Sequence, residues 1–481
     1  MSNPADPDDG LALAAAIRSG ATTAASAMEA SIARADAVAD LGAISFLNAD
    51  LGRTQAAEID AGLARRPKFY GLKPFLGVPF LMKDLGATAA GLPMICGSAA
   101  IERPAESVDA ALTTRFRHAG LLPFGLTTVP EFGLALSSEP AIGPIARNPL
   151  DPSRTPGGSS GGAAAAVAAG IVAVAHATDA GGSTRVPAAC CGLVGLKPTR
   201  GAMPGGPAFG NHIGGIAAEL IVSRSLRDTA AALDHFAGAA EGPFPDPDLD
   251  GPLLASLDRA TEPLRIGLCV DVAEGAPVTS ERRAAIEHAA DILRAAGHTI
   301  VPIEPERLAP LVRQAALVFD HVICVNLARS LSDFSRVEPL TRACAERGLG
   351  ITARALQAAE LGGVHVAHAM WRLFDEVDVL LTPMLSGPPL PIGSFPLDHG
   401  DIDLQWRRMT DFAPYATLAN VAGTPALTIP HGVDAGGLPL PVQLIGPMAS
   451  DGLLLRLARV LQRAAPWSFS TRIAGLPEGT N

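Results

Sequence analysis

The sequence predicts an α/β fold, and three observations support this prediction. Short apolar runs bounded by glycine and proline alternate with alanine-rich segments whose apolar residues recur at helical spacing. The alternation continues on both sides of a Pro/Asp/Gly-rich stretch at 238–263. With 481 residues, the chain is also long enough to bury a large core. Strands and helices are therefore expected to form one α/β architecture.

The elements follow from these patterns in chain order. Alanine-rich segments with helical spacing predict helices, and apolar runs between turn residues predict buried strands. In the first half we expect helices at 11–36 and 51–66, a strand at 76–82, a helix at 107–119, a strand at 121–125, a loop at 147–162, a helix at 162–169 and a strand at 171–175 that leads to the Asp179 loop.

The second half repeats the alternation after the 238–263 stretch. Ser280 is the expected N-cap of its first long helix. The glycine-rich stretch 202–215 is expected to form a mobile wall over a site. We expect a strand at 264–270, a helix at 280–296, strands at 377–381, 426–429 and 442–445, and a closing helix at 451–464.

Composition favours small-molecule chemistry over nucleic-acid or membrane binding. The formal net charge of −11 gives no basic surface for either partner. The acidic N-terminus does not show the basic and apolar blocks of a secretory signal. Six scattered cysteines without a CxxC pair favour a reduced, cytoplasmic protein. The histidines show no metal-binding spacing, so neither a metal nor a cofactor is expected.

Lysine is rare in this chain, which makes Lys83 conspicuous. There are four lysines, at 68, 73, 83 and 197, among 37 basic residues. Because arginine stays charged, a chain that prefers it would keep lysine where a proton must be released. Lys83 follows an apolar run, and burial there would lower its pKa toward neutrality. A lysine that extends from a strand edge into water is the alternative interpretation.

The run GGSSGG at 157–162 supplies two hydroxyls, those of Ser159 and Ser160. A core-like alanine-rich segment follows at once, which disfavours a flexible linker. Residues 158–162 also fit G-x-S-x-G, which would make Ser160 a nucleophile. That motif needs a strand directly before it, whereas three prolines precede the run here. The Ser160 hypothesis is therefore the weaker one.

The loop after Asp179 is the stronger candidate for a reacting centre. Gly181 and Gly182 directly precede Ser183 at the end of a buried strand, where glycine allows several N–H groups to converge. An anion-binding nest or a plain tight turn is the alternative. The amides that could form an oxyanion hole are those of Ala180, Gly181, Gly182 and Ser183.

Together these segments resemble the amidase signature family, serine hydrolases with a Ser–cis-Ser–Lys triad. Ser159 and Ser183 lie 24 positions apart, the interval that this family uses between its bridging and nucleophilic serines. The likeness continues through 186–201, 420–426 and 436–446, and it spans about residues 70–465. The Glu-Pro pair at 139–140 looks more like the branch that includes 6-aminohexanoate cyclic dimer hydrolases.

The resemblance implies a role for each matching residue and a fold. Ser183 would be the nucleophile, Ser159 the bridging serine entered by a cis peptide bond, and Lys83 the base. The implied fold is a single large α/β domain whose central mixed β-sheet is covered by helices on both faces. The residues expected to support the relay and the loop are Ser160, Asp179 and Arg185.

The expected organisation is a helical segment at 1–70 packed on a catalytic domain at 71–481, with the 238–263 stretch as a linker or a surface excursion. The leading hypothesis is a hydrolase that cleaves a linear or cyclic small-molecule carboxamide through an acyl-enzyme on Ser183. A glutaminase-like subunit of a tRNA-dependent amidotransferase, an esterase-active member and an inactive binding member are the alternatives. Monomer and homodimer both stay open. Candidate pocket residues are Ser138, Glu139 and Cys324, the last with a buried structural thiol as its alternative.

Overall fold

A computed structural model of the chain describes residues 8–102, 104–205, 212–238 and 245–478. Within these residues eleven strands form one sheet. The strands are β1 (Ile44–Leu47), β2 (Val78–Lys83), β3 (Leu121–Thr127), β4 (Val174–Asp179), β5 (Val194–Lys197), β6 (Ala218–Ser223), β7 (Arg265–Leu268), β8 (Thr299–Pro302), β9 (Val379–Pro383), β10 (Ala426–Val433) and β11 (Pro439–Ile445).

The helices of the described residues range from single turns to 26 residues. Short 3₁₀ turns at Ala39–Leu41 and Glu131–Gly133 accompany them. The α-helices are α1 (Gly10–Ser19), α2 (Ala24–Ala37), α3 (Ala49–Arg65), α4 (Pro67–Tyr70), α5 (Ala111–Ala119), α6 (Gly161–Ala168), α7 (Arg185–Cys191), α8 (His212–Gly215), α9 (Leu226–Phe236), α10 (Leu253–Ser256), α11 (Ser280–Ala295), α12 (Pro305–Ser330), α13 (Pro339–Gly350), α14 (Ala353–Phe374), α15 (Ile402–Phe412), α16 (Ala416–Ala422) and α17 (Asp451–Ala464).

The sheet is mixed. Its strand order is β1-β3-β2-β4-β6-β5-β10-β11-β9-β7-β8. Strand β2 pairs in parallel with β3 and β4, and β7 pairs in parallel with β8 and β9. The other neighbouring strands are antiparallel. The predicted α/β class with a single large mixed sheet is confirmed.

The parallel pairing of β2 with β4 positions the site. Leu81 pairs with Ala175, so both strands run in the same direction and their carboxyl ends meet at one edge of the sheet. Lys83 is the last residue of β2, and Asp179 is the last residue of β4. All residues of both strands are buried, which explains the apolar run of β2 before Lys83, whereas β4 also buries His176, Thr178 and Asp179. The strand predicted at 171–175 is therefore placed too early, since β4 is Val174–Asp179.

Helix α6 approaches the sheet closely because its residues are small. A Cβ atom at Gly162 would lie 2.4 Å from the backbone N of Thr128 and 2.5 Å from the carbonyl O of Ala43. Its alanines at 163–166 are fully buried. This helix begins within the GGSSGG run, at Gly161, so its close packing anchors the loop that carries Ser159.

Some element boundaries differ from the sequence prediction. The expected helix at 11–36 is two helices, because Gly20 ends α1 with φ +81° and the Thr23 side chain caps α2 by accepting from Ser26 N. Ser280 is not an N-cap: it is the first residue of α11, preceded by Thr279, and no side chain caps this helix end.

Two predicted segments fall partly outside the described residues. Residues 206–211 of the glycine-rich stretch 202–215 and residues 239–244 of the stretch 238–263 are not described. The described remainder of 238–263 carries only the short helix α10.

Helix α12 is, by length and composition alone, long and apolar enough to cross a membrane. In the part of the chain that the structure describes, it is the single helix that meets this criterion. Its most apolar window is 44% buried inside the protein, and core helices pass the same test. The criterion is therefore weak evidence for a membrane span.

A contact between the exposed His288 and the buried His431 joins helix α11 to strand β10 and generates a prediction about acid stability. His288 Nδ1 and His431 Nε2 lie 3.0 Å apart, and His431 is 3% exposed. Burial, together with the neighbouring His288 ring, lowers the pKa of His431 to about 4. The hydrogen bond between these two ring nitrogens contains one proton. If both nitrogens carried a proton, the hydrogen bond would be lost.

We predict that the free energy of unfolding falls as the pH drops from about 6.5 toward 4, because the unfolded chain takes up the proton that folded His431 resists. His431→Gln should reduce this acid-induced loss by on the order of 2 kcal/mol. Urea unfolding at pH 7 and pH 5 measures the difference, with the exposed His365→Gln as control. Identical pH dependence in wild type and His431→Gln would contradict the prediction.

Candidate active site

Lys83 is completely buried, and its amine contacts two hydroxyls. Nζ lies 2.8 Å from Ser159 Oγ, 2.7 Å from Thr178 Oγ1 and 3.4 Å from the Thr178 carbonyl O. A neutral amine has two N–H donors and one lone pair. It can donate to both oxygens of Thr178 and accept from the Ser159 hydroxyl, so the three neighbours match the neutral form.

The pKa of Lys83 agrees with this geometry. Burial lowers it from its ordinary value near 10.5 to about 7, although the charges of Asp179 and Glu219 act in the opposite direction. A large fraction of the amine is therefore neutral near pH 7, where an unperturbed lysine would be almost fully protonated. Lys83 has the proton affinity of a general base.

Ser159 lies in a tightly enclosed loop before α6. The peptide bond between Gly158 and Ser159 is cis. A Cβ atom at Gly158 would lie 2.3 Å from the carbonyl O of Ser137, so no side chain fits there. Ser138 supports the loop, since its Oγ accepts from Gly161 N at 3.0 Å and lies 3.2 Å from the Ser159 carbonyl O.

Ser183 lies in the loop between β4 and α7 and is 7% exposed. Ser183 and Ser159 line the same cavity, although no hydrogen bond joins their hydroxyls. The backbone N of Ser160 donates to the Ser183 carbonyl O at 3.2 Å, which ties the two serine loops together. The structure therefore brings Lys83, Ser159 and Ser183 to one place.

Asp179 organises the Ser183 loop. Its carboxylate accepts from Gly182 N at 2.7 Å and from Arg185 Nε at 2.9 Å. Burial would raise the pKa of Asp179, but the Arg185 charge and the hydrogen bonds from Arg185 and Asn420 hold it well below its usual range. The carboxylate is therefore ionised at any working pH, and the loop is held by a buried ion pair.

Arg185 and Asn420 connect this ion pair to distant parts of the chain. Arg185 donates to Gln443 Oε1 at 2.8 Å and to Asn420 Oδ1 at 2.6 Å. Asn420 Nδ2 in turn donates to the Asp179 carbonyl O at 2.8 Å. Asn420 belongs to the second matching sequence segment, but nothing in that segment indicates that it contacts Asp179.

The backbone amides of the Ser183 loop are not equivalent. Gly182 was expected to be an oxyanion donor, yet its N–H already donates to Asp179 Oδ1 at 2.7 Å. We therefore remove Gly182 from the candidate donors. Within the part of the chain that the structure describes, the N–H groups of Ala180, Gly181 and Ser183 make no hydrogen bond.

Ser160 does not line the catalytic cavity. It is completely buried, and its Oγ lies 3.3 Å from both the N and the carbonyl O of Thr178. The hydroxyl therefore binds the backbone of β4 rather than a substrate. This placement disfavours the G-x-S-x-G interpretation and agrees with the expected supporting position.

The cavity at Ser183 is small, about 40 Å³, and mostly apolar. Among the described residues none of its lining side chains carries a charge. Its polar lining consists of the hydroxyls of Ser159, Thr178 and Ser183 and the loop backbone, and its apolar wall is formed by Leu85, Phe132, Leu134, Ala180, Ile213, Ala217, Phe319, Ile323 and Met409.

The three candidate pocket residues lie outside this lining, so the expectation that they form its wall is revised. Ser138 is behind the Ser159 loop, as described above. Glu139 Oε2 accepts from Gly393 N at 2.7 Å. Cys324 is completely buried, with its thiol 3.7 Å from Asp320 Oδ1. Phe319 and Ile323 face the cavity from α12, and Cys324 is rotated about 100° from Ile323.

A larger groove of about 640 Å³ lies on the other side of α12 and α15. Phe319, which lines the catalytic cavity, stacks edge-to-face at 5.2 Å on Trp406, which lines the groove. The groove contains none of Lys83, Ser159 and Ser183. Ser159 and Ser183 line the smaller cavity instead.

Sequence reasoning missed Thr178, which holds the amine of Lys83. Its position directly before Asp179 on a buried strand was the available signal. The described residues contain no group of three or more His, Cys, Asp or Glu side chains that could hold a metal ion.

Comparisons with known proteins give a consistent result. A sequence profile described as Amidase matches residues 26–455. The 6-aminohexanoate-cyclic-dimer hydrolase of Paenarthrobacter ureafaciens is 32% identical over 485 residues, which cover 95% of each chain. A structure of 6-aminohexanoate cyclic dimer hydrolase superposes with TM-score 0.88 at 30% identity, covering 96% of this chain and 98% of that one.

A more distant structure gives the same assignment. The peptide amidase from Stenotrophomonas maltophilia has TM-score 0.76 and 26% identity, covering 97% of this chain and 100% of that one. The comparisons do not favour the subunit of an amidotransferase complex. The matched profile, the full-length relatives and the shared fold agree: this chain belongs to the amidase signature family and is a hydrolase of carbon–nitrogen bonds other than peptide bonds.

Proposed function

We propose that the chain hydrolyses a small-molecule carboxamide through an acyl-enzyme on Ser183, with Ser159 as the proton bridge and Lys83 as the base. The observation that carries this proposal is the 2.8 Å contact between Ser159 Oγ and a buried Lys83 amine whose pKa is about 7. Only a neutral amine can take up the proton that this chemistry must move.

In the acylation step Ser183 Oγ attacks the carbonyl carbon of the amide. Its proton passes to Ser159 Oγ, whose own proton passes to Lys83 Nζ. The negative charge that develops on the carbonyl oxygen is stabilised by the N–H groups of Ala180, Gly181 and Ser183. When the C–N bond breaks, the relay runs in reverse, and the departing nitrogen receives the proton.

Deacylation uses the same groups with water in place of Ser183. Water attacks the acyl carbon, its proton passes through Ser159 to Lys83, and the relay then returns a proton to Ser183 as the carboxylic acid leaves. Thr178 keeps the amine in place throughout, since it binds both N–H donors and leaves the lone pair toward Ser159.

The cavity lining supports an uncharged amide as the substrate. Its described side chains are apolar or hydroxyl-bearing, so a charged group beside the scissile bond would be desolvated without a partner. Two relatives are named for hydrolysis of the cyclic dimer of 6-aminohexanoate, which makes cyclic aliphatic amides the first compounds to screen. Activated esters should also react, because the same nucleophile and amides would serve them.

We also retain the expectation of a cytoplasmic enzyme without nucleic-acid or membrane partners. All six cysteines are free thiols, which suits a reducing compartment. The net charge of −11 supports the same choice. A homodimer stays an expectation that gel filtration with light scattering would test.

Replacing Lys83 tests the base. Lys83→Arg should lower kcat/KM by at least roughly 10³-fold, because a permanent cation cannot accept a proton. The exposed Lys68→Arg provides the matched control and should retain wild-type activity. The measurement is hydrolysis of an anilide substrate by both purified variants. Activity within a few-fold of wild type in Lys83→Arg would remove Lys83 from the mechanism.

The pH–rate profile tests the protonation state of the base. Because Lys83 must be neutral to act and its pKa is about 7, kcat/KM should rise through about pH 7 and level off above it. Stopped assays from pH 5 to pH 9 at constant ionic strength give the profile. A profile that is flat across this range is incompatible with a neutral-lysine base.

Covalent labelling tests the nucleophile. A fluorophosphonate should form one adduct on Ser183, located by intact mass and peptide mapping, because Ser183 lines the cavity whereas Ser160 is buried against β4. Lys83→Ala should greatly slow the labelling, since the hydroxyl is no longer deprotonated. An adduct on Ser160 would instead support the G-x-S-x-G interpretation.

A further inference from the structure

Two buried titratable residues that the proposed mechanism does not use are connected to the backbone of Lys83 by hydrogen bonds. His176 on β4 and Glu219 on β6 are 0% and 1% exposed. In the sheet β4 lies between β2 and β6. Buried polar groups are nearly always hydrogen-bonded. The hydrogen bonds of these two residues connect them to the backbone of Lys83.

The hydrogen bonds form a chain from Lys83 to Glu219. The backbone N–H of Lys83 donates to His176 Nδ1 at 3.3 Å. An acceptor at Nδ1 means that the proton of the neutral ring is on Nε2, which donates to Glu219 Oε1 at 3.1 Å. The same oxygen accepts from Ala87 N at 2.8 Å. Glu219 thus holds the chain after Lys83 directly and Lys83 itself through His176.

The turn between these two anchor points packs on the carboxylate. Gly86 has φ +109°, and a Cβ atom there would lie 2.4 Å from Glu219 Oε1 and 2.7 Å from Thr178 Cγ2. The backbone can approach this closely only as glycine. Glu219, the turn after β2 and Thr178, which holds the amine of Lys83, therefore form one contiguous packed unit.

We propose that Glu219 and His176 are positioning residues for Lys83: they hold the backbone on both sides of the lysine and place one negative charge behind its strand. The role as a positioning device for a base rests on the function proposed above. The charge stabilises protonated Lys83, and it therefore raises the pH at which the amine becomes able to accept a proton, in addition to the effect of Asp179.

Three other titratable groups lie near Lys83, and none of them replaces Glu219. Asp179 is engaged by the Arg185 charge at 2.9 Å. Burial raises the pKa of the Cys96 thiol to about 12, so it is uncharged in the working range. Asp84, next in the chain, binds the Ile95 and Gly97 amides. Glu219 is thus the one of these carboxylates that both acts on the charge of Lys83 and holds the turn after β2 in position.

The scarcity of lysine allows a direct test. The chain has four lysines, so ¹³C-labelled lysine gives few Cε signals, and Lys83→Arg identifies the one from Lys83. Glu219→Gln keeps an oxygen acceptor for Ala87 and His176 but removes the charge. We expect the titration midpoint of Lys83 to fall by roughly one pH unit in Glu219→Gln. The acid limb of kcat/KM should move by the same amount.

Lys197 is the internal control in the same spectra. It is also buried, burial lowers its pKa to about 7, and the charges that act on it come from Arg185, Asp179, Asp451 and Arg200 rather than from Glu219. A shift of Lys83 alone supports the proposal. An unmoved Lys83, or equal shifts of Lys83 and Lys197, would overturn it.

Further variants keep the test decisive. Glu219→Met is a second neutral side chain of similar length and answers the same question if Glu219→Gln does not fold. Glu219→Asp retains the charge but withdraws it by one methylene group, so kcat should fall while the Lys83 midpoint stays near that of wild type. Asp234→Asn, which alters another carboxylate that accepts backbone N–H bonds, should change neither value.

The titration does not depend on turnover. If Lys83→Arg remained active, the proposed function would fail, yet the Lys83 midpoint in Glu219→Gln would still decide whether Glu219 controls the lysine. The two failures are therefore distinguishable.

Discussion

The site depends above all on the buried ion pair between Asp179 and Arg185. This pair fixes the loop that carries Ser183, and through Asn420 and Gln443 it joins strand β4 to elements more than 230 residues away in sequence. Removing one partner of such a pair typically costs about 3–5 kcal/mol, because the other charge is left buried alone. The Ser183 loop therefore cannot rearrange without disturbing its contacts with Asn420 and with Gln443 of β11.

Lys83 shows how opposing electrostatic effects are combined at one atom. Complete burial favours the neutral amine, whereas nearby carboxylates favour the cation, and the balance falls near neutrality. Hydroxyl neighbours then orient the lone pair without adding charge. A hydrophobic pocket alone would lower the pKa further and would leave a base too weak to hold the proton during the reaction.

Much of the fold and the reacting centre could be predicted from sequence, for physical reasons. Strand β2 is buried throughout, so its apolar run is a strong signal, and Lys83, Ser159 and Ser183 lie within distinctive local patterns. The apolar run at 171–175 covers only the first two residues of β4, because the rest of this strand carries buried polar side chains. Strand β8 could not be predicted, because its residues are half-exposed or exposed. The hydrogen bonds of Asp179 with Gly182 and Asn420 depend on three-dimensional packing. A local sequence pattern does not indicate them.

The wall between the catalytic cavity and the larger groove has a consequence for how new specificities arise. One face of this wall is the Phe319 ring and the other is the Trp406 ring, and neither takes part in the proton relay. Shortening the first ring would enlarge the cavity of about 40 Å³ toward the Trp406 ring, which lines the groove of about 640 Å³. The rings that shape the cavity are thus separate from the side chains of the proposed relay, so the cavity can change in size while Lys83, Ser159 and Ser183 stay in place.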